Sequence, residues 1–402
     1  MWLRRWVVIL ISGLICCVVQ GAFHEADARA RSTRSLQKQK PAKKKIVVKK
    51  APSPALPDYE AALLADAETG QVLFARNGDK QWPSASLTKM MVGLLVLEEI
   101  ERGRLALRTP VRVSKRASLA GGRVINLQPG EVYPLEELLQ AMLVTSANDA
   151  SVAIAERLAG SVESCVLAMN KRARELGMTG TRYRTVNGMP PADGSPPDMS
   201  SATDMIILAR ALMKYQEVLQ WTSCHHIPFR AGTVLLPNTN HLVGKVAGVD
   251  GLKTGFTAKA RFNLVTTAQR GQLRLIAVVL GGKSSRIRFR AATNLLEWGF
   301  AEYTRLRLLK GGEPVGAQVR VEHGSVSAIQ PIAATDAAFL MKKNDVDDVR
   351  VFLQLPSVVA APIARYQVVG EVVVRNHDRV LAVIPAVSPL EIPRARWFPA
   401  RR

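Results

Sequence analysis

Apolar residues recur along this chain with two periods, and the change of period marks out its elements. Residues 61–76, AALLADAETGQVLFAR, are two short apolar runs around Glu68-Thr69-Gly70, which predicts a β-hairpin. Pro83 to Ser86 then opens a helix with the body MMVGLLVLEEIERG, and Thr109 to Tyr133 reads as an excursion of short strands. Pro134 begins a second helix, LEELLQAMLVT, which breaks at Thr145-Ser146-Ala147-Asn148-Asp149 before a third, ASVAIAERLAG. Residues 187–201, NGMPPADGSPPDMSS, form a loop, and Ala202 to Tyr215 returns to helix. VAGVDGLKTGFT leads into two strong strands, FNLVTTAQ and LRLIAVVLGG, predicting a three-stranded antiparallel run with Lys253-Thr254-Gly255 on its first strand. A helix from Arg288 to Tyr303 closes this part.

Beyond Leu309 helical periodicity fades. AQVRVEHG, VRVFLQL, VVGEVVVRN and RVLAVIPAV alternate with turns, as in a small all-β domain of sandwich type. The expected organisation is therefore a mixed α/β (α+β) domain with an antiparallel sheet over 58–305, an all-β domain over 306–390, and a basic tail over 391–402.

The first 57 residues differ from the rest. Arg4 and Arg5 precede an apolar run from Trp6 to Val19, and Ala26 and Ala28 follow in A-x-A spacing. This predicts a signal peptide over 1–30, or an uncleaved anchor, and export to the periplasm. Residues 31–57 carry nine Lys or Arg and no acid, with interspersed prolines, and read as a disordered linker. The formal net charge of +22 then favours anionic lipid headgroups or an acidic cell wall as partners over nucleic acid, or a solvated basic surface with no partner. Aromatic content of 5% argues against a stacking surface for single-stranded nucleic acid. Trp397, Phe398 and four arginines between 394 and 402 make the tail either a peripheral contact with the inner membrane or a frayed end. Cys165 and Cys224 remain after the signal, either as two buried free thiols or as a pair. No C-x-x-C or H-E-x-x-H pattern supports a zinc site.

The chemistry lies in three short patterns. PSASLTKMM sets Ser86 three residues before Lys89 at a helix start, so the two side chains share a face. Ser146-x-Asn148 falls on a tight connection between helices, where serine and asparagine also serve as caps. Lys253-Thr254-Gly255 lies on a strand. The S-x-x-K spacing alone recurs by accident, as at Ser35 and Lys38, but three patterns in this order and context are far more selective. A serine hydroxyl needs a base, and no histidine occurs in any of these contexts. Lys89 serves if neutral, which burial and a second cation, Lys253, both favour. The helix start adds positive potential where an oxyanion forms. Ser146 can relay a proton, Asn148 can orient Lys89 and a substrate amide, and Lys253 and Thr254 can hold a terminal carboxylate. Gly255 leaves the strand edge open to an extended peptide.

At these residues the chain resembles the serine-type D-Ala-D-Ala carboxypeptidases, low-molecular-mass penicillin-binding proteins related to serine β-lactamases. LGMTGTRY, the NGMP loop, ATDMIILARAL, VDGLKTGFT and APIARYQVVGE look like family segments in family order. The resemblance implies a penicillin-binding-protein-like transpeptidase fold with an all-β second domain. It implies Ser86 as the acylated nucleophile, Lys89 as its base and Ser146 as proton relay. Lys253 and Thr254 would bind the substrate carboxylate, helped by Arg210, and the N–H groups of Ser86 and Phe256 would form the oxyanion hole. The substrate would be a peptidoglycan stem peptide ending in D-Ala-D-Ala, β-lactams would trap Ser86, and no cofactor or metal is called for. A D,D-endopeptidase, a β-lactamase or a catalytically impaired wall-binding protein are the alternatives. The last is suggested by Arg261, which stands where the family usually has glycine and would crowd or recharge the edge of the site.

Overall fold

The computed structural model of the chain describes residues 7–9, 58–191 and 193–395. The expected signal peptide and linker lie outside the described residues except for Val7–Ile9, and Trp397 and Phe398 of the tail lie outside them as well. The chain separates into two compact units. One is Ala51–Arg305 with Leu340–Lys343; the other contains Leu306–Phe339 and Asn344–Arg402.

The first unit is built on a five-stranded sheet. Its strands are β1 (Ala61–Asp66), β2 (Val72–Arg76), β3 (Val249–Thr257), β4 (Arg261–Arg270) and β5 (Leu273–Gly282). They lie in the order β3-β4-β5-β1-β2, each pair antiparallel. β1 is AALLAD and β5 is LRLIAVVLGG, near-continuous apolar runs rather than alternating ones, because both faces of the central strands are covered. Leu63, Ile276 and Val278 pack into the larger core on one face; Leu64, Leu275 and Val279 pack into a second core on the other.

Helix α1 (Lys89–Glu101) lies inside the larger core. Met90, Met91, Val92, Leu94, Val96 and Leu97 are all buried, so its apolar residues are not confined to one stripe. Around it stand α2 (Leu135–Gln140), α3 (Asn148–Ala159), α4 (Val162–Glu175), α5 (Ala202–Leu212) and α6 (Gln216–Thr222). α7 (Ser285–Glu302) covers the opposite face through Ala291, Ala292, Leu295 and Leu296, and starts at Ser284, whose hydroxyl accepts the Ile287 N–H at 3.2 Å. The expected short strands between α1 and α2 are Pro110–Arg112 and Val132–Pro134, paired with each other.

The second unit is β-rich, as the patterning predicts. Val349–Gln354, Val368–Asn376, Arg379–Val387 and Ile332–Ala333 form an antiparallel sheet, with Val7–Ile9 beside Val351–Leu353. Val319–Glu322 joins Ala328–Ile329 and Val358–Ala360 in a second sheet. Each sheet contributes to its own small apolar cluster, around Val372 and Ile384 in one and around Val319 and Val321 in the other. Among the described residues no helix is long and apolar enough to cross a membrane.

Candidate active site

Local structure around residue 86 is set from both sides. Ala85–Thr88 form a 3₁₀ turn that runs directly into α1. The Asp198 carboxylate accepts the Thr88 hydroxyl at 2.8 Å, the Thr185 hydroxyl at 2.7 Å and the Arg184 and Thr185 N–H groups, while the Asp198 carbonyl accepts the Ser84 N–H at 2.9 Å. One buried acid therefore ties the turn to the 184–188 loop. From the other side, Asn263 on β4 donates to the Pro83 carbonyl at 2.8 Å, and Trp82 Nε1 donates to the Ala260 carbonyl at 2.8 Å. These are buried polar groups with their partners in place, so they fix the position of the turn.

The loop and the strand close on Ser86 through two glycines. Gly188 has φ +80, and a side chain there would meet the Ala85 carbonyl oxygen at 2.0 Å and the Ser86 nitrogen at 2.8 Å. Gly255 of β3 is the strand's close approach, where an added Cβ would lie 3.0 Å from the Ser84 carbonyl oxygen and 3.3 Å from the Ser86 nitrogen. Both contacts are to backbone, which has no rotamer to yield. Gly188→Ala should thus lower stability by about 2 kcal/mol or more, through positive-φ strain and backbone overlap together. The check is a lower melting temperature accompanied by loss of penicillin labelling; an unchanged melt would contradict this packing.

Lys89 is fully buried, and its Nζ donates to Ser86 Oγ at 2.9 Å and to the Asn187 carbonyl at 2.8 Å. Among the described residues no carboxylate pairs with it directly. Burial pushes the amine down to about 7; Asp198 and Asp149 partly oppose this and Arg123 adds to it. In its neutral form the amine has a lone pair, and the Ser86 hydroxyl can turn to donate to it.

The cleft in front of this pair holds ≈ 700 Å³. Ser86, Ser146, Asn148, Thr254, Gly255 and Phe256 all line it, so the structure brings six of the nine predicted site residues to one surface. Ser146 adopts φ 71 between the helical turn 141–145 and α3, and its hydroxyl has no protein partner among the described residues. Asn148 Nδ2 donates to the Gly121 carbonyl at 2.6 Å, while its Oδ1 is buried without a partner among the described residues. Such an orphan acceptor fits a ligand N–H or a lysine donor. Phe256 is 54% exposed and tilts against Phe262, their rings 4.4 Å apart.

Lys253 is not on the open surface. It is buried behind the cleft, and Nζ donates to the Thr254 carbonyl at 3.0 Å. Burial and the charges of Lys89, Arg123 and Arg288 hold its amine well below the usual lysine range. An unpaired buried amine opposes folding. Lys253→Met should therefore raise the melting temperature by a few degrees while slowing acylation by carboxylate-bearing β-lactams about tenfold or more. Thermal melts and labelling rates check the two arms, and a fall in the melting temperature would contradict the first.

Arg210 is a correction. It lies on α5 away from the cleft, where Nε donates to the Ala67 carbonyl at 2.9 Å and Nη2 to the Glu68 carbonyl at 2.7 Å. It caps the hairpin turn between β1 and β2, whose carbonyls would otherwise lack donors. Two other arginines line the cleft, Arg123 and Arg288, the latter near the start of α7. Arg288 is 7% exposed and donates to the Gly255 and Asn263 carbonyls at 3.1 Å, with burial lowering it to about 10. The patterning treats that helix only as a closing element. Its one signal, an arginine four residues beyond the capping serine, is too common to single out. Arg261 also departs from expectation. Its φ is +54, consistent with a glycine position, but the side chain pairs with Glu60 at 2.8 Å and is not among the residues lining the cleft. Cys165 is buried and Cys224 exposed, both free.

A helix-flanked antiparallel sheet that presents a serine at a helix start beside its own edge strand is the architecture of the serine penicillin-binding proteins. Solved structures agree. Penicillin-binding protein 6B from Escherichia coli superposes with a TM-score of 0.67 at 30% identity, over 84% of this chain and 98% of that one. Penicillin-binding protein D2 from Listeria monocytogenes in its ampicillin-bound form superposes with a TM-score of 0.55 at 33% identity, over 60% and 97%. In sequence, the D-alanyl-D-alanine carboxypeptidase DacF of Bacillus subtilis is 34% identical over 85% of this chain and 87% of its own length. Residues 48–284 match the D-alanyl-D-alanine carboxypeptidase family of peptidases, and residues 303–394 match the penicillin-binding protein 5 C-terminal domain. The chain belongs to the D-alanyl-D-alanine carboxypeptidase family.

Proposed function

We propose that Ser86 is the nucleophile of this serine-type carboxypeptidase and Lys89 its base, acting on peptidoglycan stem peptides that end in D-Ala-D-Ala. The observation that carries this reading is the 2.9 Å contact between Ser86 Oγ and a wholly buried amine lowered to about 7. That amine supplies a neutral base at physiological pH.

The Ser86 proton passes to Lys89 as Oγ bonds to the carbonyl carbon of the penultimate D-Ala. The carbonyl oxygen takes the negative charge and faces the N–H groups of Ser86 and Phe256, at the helix start and the strand edge. As the C–N bond breaks, the departing D-Ala nitrogen takes a proton from Lys89 through the Ser146 hydroxyl. Water then attacks the ester with Lys89 as base, and the shortened peptide leaves as a carboxylate. Thr254, with Lys253 and Arg288 behind it, supports the terminal carboxylate. A β-lactam offers the same acyl group with its leaving nitrogen tethered in a ring, so it should acylate Ser86 and stay.

The charged start, apolar run and Ala26-x-Ala28 pattern support export to the periplasm, where this substrate lies. The basic tail supports a peripheral contact with the inner membrane. The test is chemical. The purified chain should release D-alanine from a stem pentapeptide and form one covalent adduct per chain with labelled penicillin. Labelling without D-alanine release would leave a penicillin-binding protein that is not a carboxypeptidase.

A further inference from the structure

The cations around the cleft differ in how they are held. Lys89, Lys253 and Arg288 are buried and each donates to a carbonyl. Arg123 is exposed, lines the cleft, and has no hydrogen-bond or ion-pair partner for its guanidinium among the described residues. No aspartate or glutamate lines the cleft with it. It lines the same cleft as Ser86, Ser146, Asn148 and Arg288, so this exposed guanidinium belongs to the wall around the reacting centre.

Its backbone is anchored to the site. The Arg123 carbonyl accepts the Asn148 N–H at 2.7 Å, and a Cβ on neighbouring Gly122 would sit 2.8 Å from Asn148 Nδ2. Arg123 therefore shares a wall of the cleft with Asn148, on a different segment from the β3 residues Thr254, Gly255 and Phe256 that also line it. In the proposed reading the terminal carboxylate takes Thr254 and Lys253 of β3, with Arg288 of α7 held against the Gly255 carbonyl. The unpartnered Asn148 Oδ1 suits an N–H of the peptide upstream of the scissile bond, which would set that part of the stem beside Arg123. An unpaired guanidinium there suits a planar, bidentate anion.

We propose that Arg123 is a specificity-determining residue that binds a second carboxylate of the stem peptide, carried by the side chain of the residue preceding D-Ala-D-Ala. The inference rests on the carboxypeptidase reading above and names the kind of stem that the site prefers.

Two synthetic probes test it: Nα-acetyl-L-2-aminoadipyl-D-Ala-D-Ala, with a free side-chain carboxylate, and its side-chain amide. In wild type the acid should be cleaved with about tenfold higher kcat/KM, the size of one charge-assisted contact, expressed mainly in KM. Arg123→Gln should bring the ratio to within about twofold of one, and Arg123→Lys should keep part of it. Any change in Lys89 basicity on removing Arg123 affects both peptides alike and cancels in the ratio. All three proteins should still take up labelled penicillin, which shows that they are folded. A wild-type ratio near one, or a preference that survives Arg123→Gln, overturns the proposal. Equal losses on both peptides in Arg123→Gln from an already small ratio would assign Arg123 to the terminal carboxylate instead, and overturn it too. Absence of both labelling and D-alanine release would remove the hydrolase reading, and this inference with it.

Discussion

Ser86→Ala should take up no labelled penicillin and release D-alanine at least about 10⁴-fold more slowly than wild type. The substitution removes one oxygen whose only hydrogen-bond partners among the described residues are the Lys89 amine at 2.9 Å and the Asn187 carbonyl at 3.5 Å. Lys89 keeps its bond to Asn187, and the turn keeps Ser84, Thr88 and Asp198 in register. The melting temperature should therefore stay within about two degrees of wild type, as for a change that leaves no cavity and no orphaned charge. Intact-mass measurement after exposure to penicillin checks the first arm and a thermal melt the second. An adduct of penicillin mass on the variant would move the nucleophile elsewhere.

Lys89→Met is the second large effect. Methionine matches the lysine stem in length and removes a buried amine, so the variant should still fold. Chemistry should suffer. Without a base within reach, the Ser86 hydroxyl must lose its proton to water, and acylation should slow by about 10³-fold, within the range typical of a deleted general base. The rate of labelled-penicillin uptake measures this directly. Near-wild-type acylation in a folded Lys89→Met chain would exclude Lys89 as the base.

Much of this geometry was legible in the residues. β4 and β5 announce themselves as long β-branched and apolar runs with a tight turn between them, and Ser86 and Lys89 sit within one helical turn, where local spacing determines contact. What the residues conceal is contact across long separations. Nothing local in NGMP shows that Asn187 lies against Lys89, about a hundred positions earlier, or that Gly188 must be bare because Ala85 presses on it. α4 escapes the pattern because it buries only Cys165, Met169 and Ala173, one thin stripe that is not strongly apolar. Arg210 and Arg288 show the same limit. Both are arginines within helices next to apolar residues, and only the fold sends one to a hairpin turn and the other beneath the Gly255 carbonyl. Cys224 is neither buried nor paired: it follows the last turn of α6 at the surface.

The claim on which the mechanism depends is that the amine at 89 is unprotonated when the hydroxyl at 86 attacks. The pH dependence of the second-order rate of Ser86 acylation by labelled penicillin, between pH 5 and 10, tests it. A base lowered from 10.5 is protonated and idle below its own pKa and active above it, so the rate should climb with pH and level off, with a midpoint near 7 that belongs to the coupled lysine cluster. A rate that is flat across this range, or that rises only toward pH 10 as for an ordinary lysine, would contradict the account.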